Sequence, residues 1–226
     1  LTQPIKQRIN LNNFPLPNYE NFDFSKYKIS DGALTELSRG CTAKCTFCSE
    51  THFWEYRQRN HTSVLDEIQY LYDKGVRIIW FVDSLVNGNL KELKEFAQGV
   101  IDRELDIKWQ GYARCDGRMD YEYLKLLKDS GCHSLSFGAE SASDKVLKDI
   151  NKRVTNSEME QNFKDCNKLG IHIFSTWITS FPTEDTEDFI DTLVFLNRNT
   201  VDSIFLTPGF QLTDDSIVGQ NFEKFG

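Results

Sequence analysis

Apolar and polar positions divide most of the chain into short strand-like runs and longer helix-like runs that alternate. Strand-like runs fall near 33–38, 76–83, 107–114, 133–140, 171–180 and 202–211. Helix-like runs fall near 62–74, 89–104, 119–130, 143–150 with 156–169, and 185–198. The helix ends carry their own signals. Thr62 and Ser63 precede Val64, Ile68, Leu71 and Tyr72, and Gly75 follows; Asp120 precedes Tyr123, Leu124, Leu126 and Leu127, and Gly131 follows. Asn156 precedes Met159, Phe163 and Cys166, and Gly170 follows, where a glycine supplies the left-handed cap. Six strands alternating with helices predict an α/β fold built on a parallel sheet with right-handed crossovers.

Within the strands, alternation separates the two faces of the sheet. Trp109, Gly111 and Ala113 share one face of the third strand, and Gln110, Tyr112 and Arg114 the other; in the fourth, Leu135, Phe137 and Ala139 alternate with Ser134, Ser136, Gly138 and Glu140. Helices cover the apolar face of a parallel sheet, so the polar sets are expected to point into a cavity. That favours a barrel with a polar, ligand-binding lumen over a doubly wound open sheet. Residues 1–30, rich in Asn, Pro and aromatics, read as a lead-in linker or cap before a core at 31–226.

The 226 residues are enough for one sizeable core. A net charge of −8 without a basic run argues against bulk nucleic-acid binding. No apolar run reaches bilayer length, and the first residues lack the apolar core of a signal peptide. The chain does not begin with Met and reads as part of a longer protein.

Of six cysteines, Cys41, Cys45 and Cys48 crowd into one loop as C-x3-C-x2-C, directly after the first strand; Cys115, Cys132 and Cys166 are scattered and read as small core residues. In α/β barrels the strand-to-helix loops form the active face. Such a cluster in a chain of this size suits metal binding in a reducing compartment, the cytoplasm, rather than a disulfide framework. Iron–sulfur cubes normally take four cysteines. Three thiolates leave one iron open to a small chelating molecule. Zinc, with His52 or His61 as a fourth ligand, is the alternative.

The string S-R-G-C-T-A-K-C-T-F-C-S-E (38–50) resembles the radical S-adenosylmethionine (SAM) superfamily signature, with Phe47 as the aromatic before the third cysteine. Y-R-Q-R-N (56–60), V-L-D-E-I (64–68), F-V-D-S (81–84), S-L-S-F-G-A-E-S-A-S-D-K-V-L (134–147) and I-T-S-F-P-T-E-D-T-E-D (178–188) are similar to the subgroup often preceded by a cobalamin-binding domain. The resemblance implies a partial (β/α)6 TIM-like barrel of the radical SAM type. It further implies a [4Fe–4S] cluster on Cys41, Cys45 and Cys48, SAM on the open iron, and Phe47 beside the adenine. The usual Gly-Gly-Glu is replaced by Val82-Asp83-Ser84, and both glycines of Gly-Phe-Pro-Gly-Glu are replaced in Ser180–Glu184. The D-x-H-x-x-G string that commonly ligates cobalamin is absent, so cobalamin would come from a domain outside this chain.

The family implies reductive cleavage of SAM to a 5′-deoxyadenosyl radical that modifies an unactivated carbon, and the subgroup points to cobalamin-dependent methyl transfer as one such modification. A cobalamin-independent epimerase, cyclase or methylthiotransferase is the alternative, and a non-catalytic iron–sulfur or zinc module is a third reading. The electron would come from a donor such as flavodoxin or ferredoxin; the substrate is not legible. From the inward stripes, Glu140 is expected to bind the ribose hydroxyls with Ser136, Arg114 the SAM carboxylate, and Tyr112 and Gln110 to line the substrate space. Asp83 is expected to contact the SAM amino group or to cap a helix. Arg114 and Glu140 could equally form a structural ion pair. Arg57 and Arg59 read as solvated surface, and His133, His172 and Trp177 as structural.

Overall fold

The computed structural model describes residues 9–50, 54–207, 210 and 213–225. In chain order the elements are β1 (Gly32–Thr35), β2 (Ser38–Arg39), β3 (Arg57–Gln58), α1 (His61–Asp73), β4 (Ile78–Phe81), α2 (Leu90–Asp102), β5 (Lys108–Ala113) and α3 (Tyr121–Asp129). Then follow β6 (Cys132–Glu140), α4 (Asp144–Asp149), α5 (Asn156–Leu169), β7 (His172–Ile178), α6 (Thr186–Arg198), β8 (Ser203–Thr207) and α7 (Ile217–Gln220). The strand–helix alternation is the expected one. The short antiparallel pair of β2 with β3 is additional, because two-residue strands leave no periodic trace. Of the last expected strand, 203–207 is extended, and 208, 209 and 211 lie outside the described residues.

The other six strands form one parallel sheet in the order β1-β4-β5-β6-β7-β8. With helical crossovers between successive strands, this is a partial (β/α)6 TIM-like barrel. Its convex face is the core: Ile79, Trp109, Leu135, Phe137, Ile173 and Trp177 lie buried beneath α-helices that contribute Leu71, Phe96, Leu127, Phe163 and Phe195. Phe81, Phe96 and Trp109 meet edge to face, and the Trp109 indole N–H donates to the Ser130 carbonyl at 3.1 Å. Cys115, Cys132 and Cys166 are buried as expected, and burial pushes their thiols up.

Parallel register aligns Trp80, Gln110, Ser134 and His172 in one row of the concave face, and Tyr112, Ser136 and Phe174 in the next. The expectation of a polar lumen therefore holds for the middle of the sheet, where Gln110, Tyr112, Ser134, Ser136 and His172 lie. Leu34, Val82, Phe174 and Phe205, from the outer strands, are exposed apolar residues. The sequence reading considered only the two central strands, where the alternation is cleanest.

One carboxylate fixes how the chain leaves β1. Asp83, just past β4, is buried and accepts the backbone N–H of Leu37 at 2.9 Å, the backbone N–H of Ser38 and the Ser38 hydroxyl at 2.7 Å. It thus ties the loop root after β1 to the end of the neighbouring strand, and caps no helix. The Tyr56 ring fills the space left by Gly88, beneath the same root. On the other side, the Arg59–Glu67 ion pair (2.7 Å) is buried, and Glu67 also accepts the Thr35 hydroxyl at 2.8 Å. Arg59 is therefore an internal brace and not the surface residue expected.

Burial pushes the Asp83 carboxyl up to about 6, against the pull of its donors Ser38 and Leu37. The folded state consequently binds this proton more tightly than the unfolded chain. Stability from Asp83 is greatest below its ordinary value and is lost as pH rises toward 6. Relative to Asp83→Asn, the parent chain is expected to lose about 3 kcal/mol between about pH 4 and pH 6, with a constant difference above pH 7. Paired urea titrations across that range measure it; a pH-independent gap would show that Asp83 is not the titrating group.

Candidate functional site

The cysteine loop leaves β2 through a turn that only glycine fits. Gly40 has φ of +78°, and a Cβ there would sit 2.9 Å from the backbone of Trp54 and Glu55. Cys45 is buried, Cys41 and Cys48 are half-buried, and all three are free thiols. The loop turns its own amides toward sulfur: Ala43 N–H donates to Cys41 Sγ at 3.3 Å, and Glu50 N–H to Cys48 Sγ at 3.4 Å. Burial pushes the Cys41 and Cys48 thiols up, with these amides pulling the other way. The two cations Arg114 and Lys152 also favour the Cys41 thiolate.

Among the described residues, no His, Cys, Asp or Glu trio is gathered closely enough to share a single ion. A cubane asks for a different arrangement, since each thiolate binds its own iron. His52 lies outside the described residues. His61 is engaged elsewhere: both its backbone N–H and its ring Nδ1 are 2.9 Å from a Glu92 carboxylate oxygen.

The turn after α4 faces this loop and brings the charged groups together. A bulge at the end of β6 re-aims Glu140, whose φ is +69°. Its carboxylate pairs with the Lys152 ammonium at 3.2 Å, both groups being buried. Gly138 makes room for the pair, because a Cβ there would lie 2.6 Å from Glu140 Oε1 and 3.1 Å from Lys152 Nζ. Burial alone would lower the Lys152 pKa; Glu140 and Cys45 outweigh it and keep the ammonium charged. Arg114 donates through Nη2 to the Lys152 carbonyl, and its backbone is held by Asn87, which donates to the Arg114 carbonyl at 2.8 Å. Among the described residues, the buried Arg114 Nε has no hydrogen-bond partner. The expected alternative, a direct Arg114–Glu140 ion pair, is not the arrangement seen: Lys152 stands between them.

Lys152 is the functional candidate that sequence reading missed. It lies beyond the strands whose alternation was read, in I-N-K-R-V-T, where an isolated lysine looks like ordinary surface. Its signal is structural: burial beside two thiols and a carboxylate. Of the other expected site residues, Ser136 and Tyr112 are register partners on the concave face, Tyr112 being 57% exposed. Phe47 packs half-buried against the core between Cys45 and Cys48. Asp83 is committed to the loop root. Ser180, where the family motif carries glycine, is left-handed with φ of +64°. Its N–H donates to Glu184.

These charges and thiols suit the group the three-cysteine loop implies. A cluster lacking a fourth protein ligand would sit beside an orphaned guanidinium donor and a charged lysine, as a chelating carboxylate requires. Comparison with known proteins agrees. Residues 35–196 match the Radical SAM superfamily. An uncharacterized methyltransferase of Pyrococcus horikoshii is 31% identical over 219 residues, covering 92% of this chain and 47% of that protein. The radical SAM methyltransferase TsrM from Kitasatospora setae, solved with tryptophan and a SAM analogue, superposes with a TM-score of 0.77 at 19% identity, covering 86% of this chain and 39% of that one. The cobalamin-dependent SAM radical enzyme OxsB, solved with aqua-cobalamin and SAM, gives 0.73 at 21% identity, covering 99% of this chain and 34% of that one. The chain thus spans less than half the length of these relatives, and the match over residues 35–196 shows that it belongs to the Radical SAM superfamily.

Proposed function

We propose that this chain is the catalytic core of a radical SAM enzyme that modifies an unactivated carbon, in the first instance by cobalamin-dependent methyl transfer. The observation that carries the reading is the three-cysteine loop facing an orphaned Arg114 Nε and a charged, buried Lys152. A [4Fe–4S] cluster with SAM on its open iron, when bound, supplies one-electron cleavage of SAM to a 5′-deoxyadenosyl radical. Cys41, Cys45 and Cys48 hold the cluster, Arg114 with Lys152 the SAM carboxylate, Glu140 with Ser136 the ribose, and Phe47 the adenine. Tyr112 faces the substrate from the concave sheet. Asp83 acts indirectly by positioning the loop root.

Methyl transfer is favoured by the 31% identity to a methyltransferase, and cobalamin by the motifs shared with the cobalamin-associated subgroup. Cobalamin would be bound outside these 226 residues, which carry no ligating D-x-H-x-x-G string. Residues 9–31 support the role of a cap: Leu11 is buried, Tyr19 and Phe24 pack against the core, and Asn12 accepts the Asn60 N–H at 2.8 Å. A cavity of about 340 Å³ opens between this segment and Leu34 and Val82 of the concave face. A cytoplasmic setting and a small reductant such as flavodoxin or ferredoxin fit the free thiols. No helix among the described residues is long and apolar enough to cross a membrane.

Anaerobic reconstitution with iron and sulfide is expected to give a brown protein with about four irons, whose EPR signal changes when SAM is added. A colourless protein holding one zinc would overturn the reading. Cys45→Ala is expected to abolish 5′-deoxyadenosine formation; persistence of that product would remove Cys45 from the ligand set. Arg114→Gln is expected to raise the SAM KM by about tenfold, from loss of a charge-assisted contact worth roughly 1.5–3 kcal/mol. An unchanged KM would place the carboxylate elsewhere.

A further inference from the structure

We propose that the turn Asp149–Arg153 is a two-sided clasp that sets Lys152 against the cysteine loop, with Asn151 as its positioning residue. This rests on the radical SAM reading of the site and goes beyond it. Three consecutive residues of the turn grip the loop. The Asp149 carbonyl accepts the Thr46 hydroxyl at 3.2 Å, the Ile150 carbonyl accepts the Thr46 N–H at 3.0 Å, and Asn151 Nδ2 donates to the Lys44 carbonyl at 2.7 Å. The next residue, Lys152, carries the contacts to the charged groups. Its ammonium meets Glu140, and its carbonyl receives Arg114.

The backbone of the turn holds both sets of contacts together. Asn151 and Arg153 have φ of +54° and +55°, flanking Lys152. A left-handed conformation is costly for side-chain-bearing residues and least so for asparagine. Two such residues around one lysine hold the chain in a single course. Asn151 meets both demands, since it tolerates the conformation and its amide bonds Lys44, the residue before Cys45. A shift of the cysteine loop therefore moves the turn, and with it the carbonyl on which the Arg114 fork rests. Positioning SAM and positioning the cluster become one mechanical problem.

Asn151→Gly separates the side-chain bonds from the backbone, because glycine keeps the left-handed turn and loses the link to Lys44 together with a longer bond from Arg153 Nε at 3.3 Å. In the reconstituted protein this variant is expected to retain its iron and bind SAM about fivefold more weakly by equilibrium dialysis. The SAM-dependent EPR change should be altered in shape. In the metal-free chain, hydrogen exchange at the Thr46 amide should quicken. Thr46→Val, which deletes the bond to Asp149, should weaken SAM binding similarly, and the double variant should add less than the two losses together. Ser130→Ala, which removes a buried bond under Trp109 far from the turn, serves as the control for general destabilisation. Parent-like SAM affinity and Thr46 exchange in both variants would overturn the clasp. So would equal weakening in Ser130→Ala. A parent protein that holds no iron–sulfur cluster would instead overturn the radical SAM reading.

Discussion

The candidate site is organised around the buried pairing of Glu140 with Lys152. A charge removed from water is tolerable only when it is partnered, and breaking such a pair leaves an uncompensated charge inside. Everything near it bends to that requirement. The bulge turns Glu140 inward, Gly138 brings no side chain into the space, and the turn after α4 delivers the ammonium through strained backbone. Arg114 braces the same turn from the end of the neighbouring strand. Together Arg114 and Lys152 put two cations against one carboxylate beside Cys41, where a thiolate must be stabilised before a metal can be held.

The fold was legible because its signals are periodic. Alternation in 133–140 and the closing Gly170 mark element boundaries within a few residues, although the helix that Asn156 opens is capped by its neighbour Thr155. The cysteines were legible because their spacing is local. What the sequence hid depends on contacts between distant segments. Asp83 looks like a ligand or helix cap in F-V-D-S, and only the sheet order reveals that it reaches across to Leu37 and Ser38. Arg59 lies in a polar string, yet the fold encloses it with Glu67. Lys152 has no periodic neighbours at all.

The concave face carries a similar lesson. Gln110, Tyr112 and Ser136 make its centre polar, while Leu34, Val82 and Phe174 make its flanks apolar. A substrate lying across all six strands would meet both surfaces. Recognition by such a floor combines a few directed hydrogen bonds with broad apolar contact, so shape as well as polarity enters into what the enzyme accepts.

The cysteine loop is completed late in the chain's own history. Thr46 donates its amide to Ile150 and receives the amide of Val218 on its carbonyl at 2.9 Å. Lys44 waits for Asn151. A ribosome releasing the chain from its amino end exposes the three thiols long before these partners exist. Non-local closures of this kind also slow folding. The nascent loop therefore stays without these partners through most of synthesis, and takes its final shape only when the carboxy-terminal segments arrive.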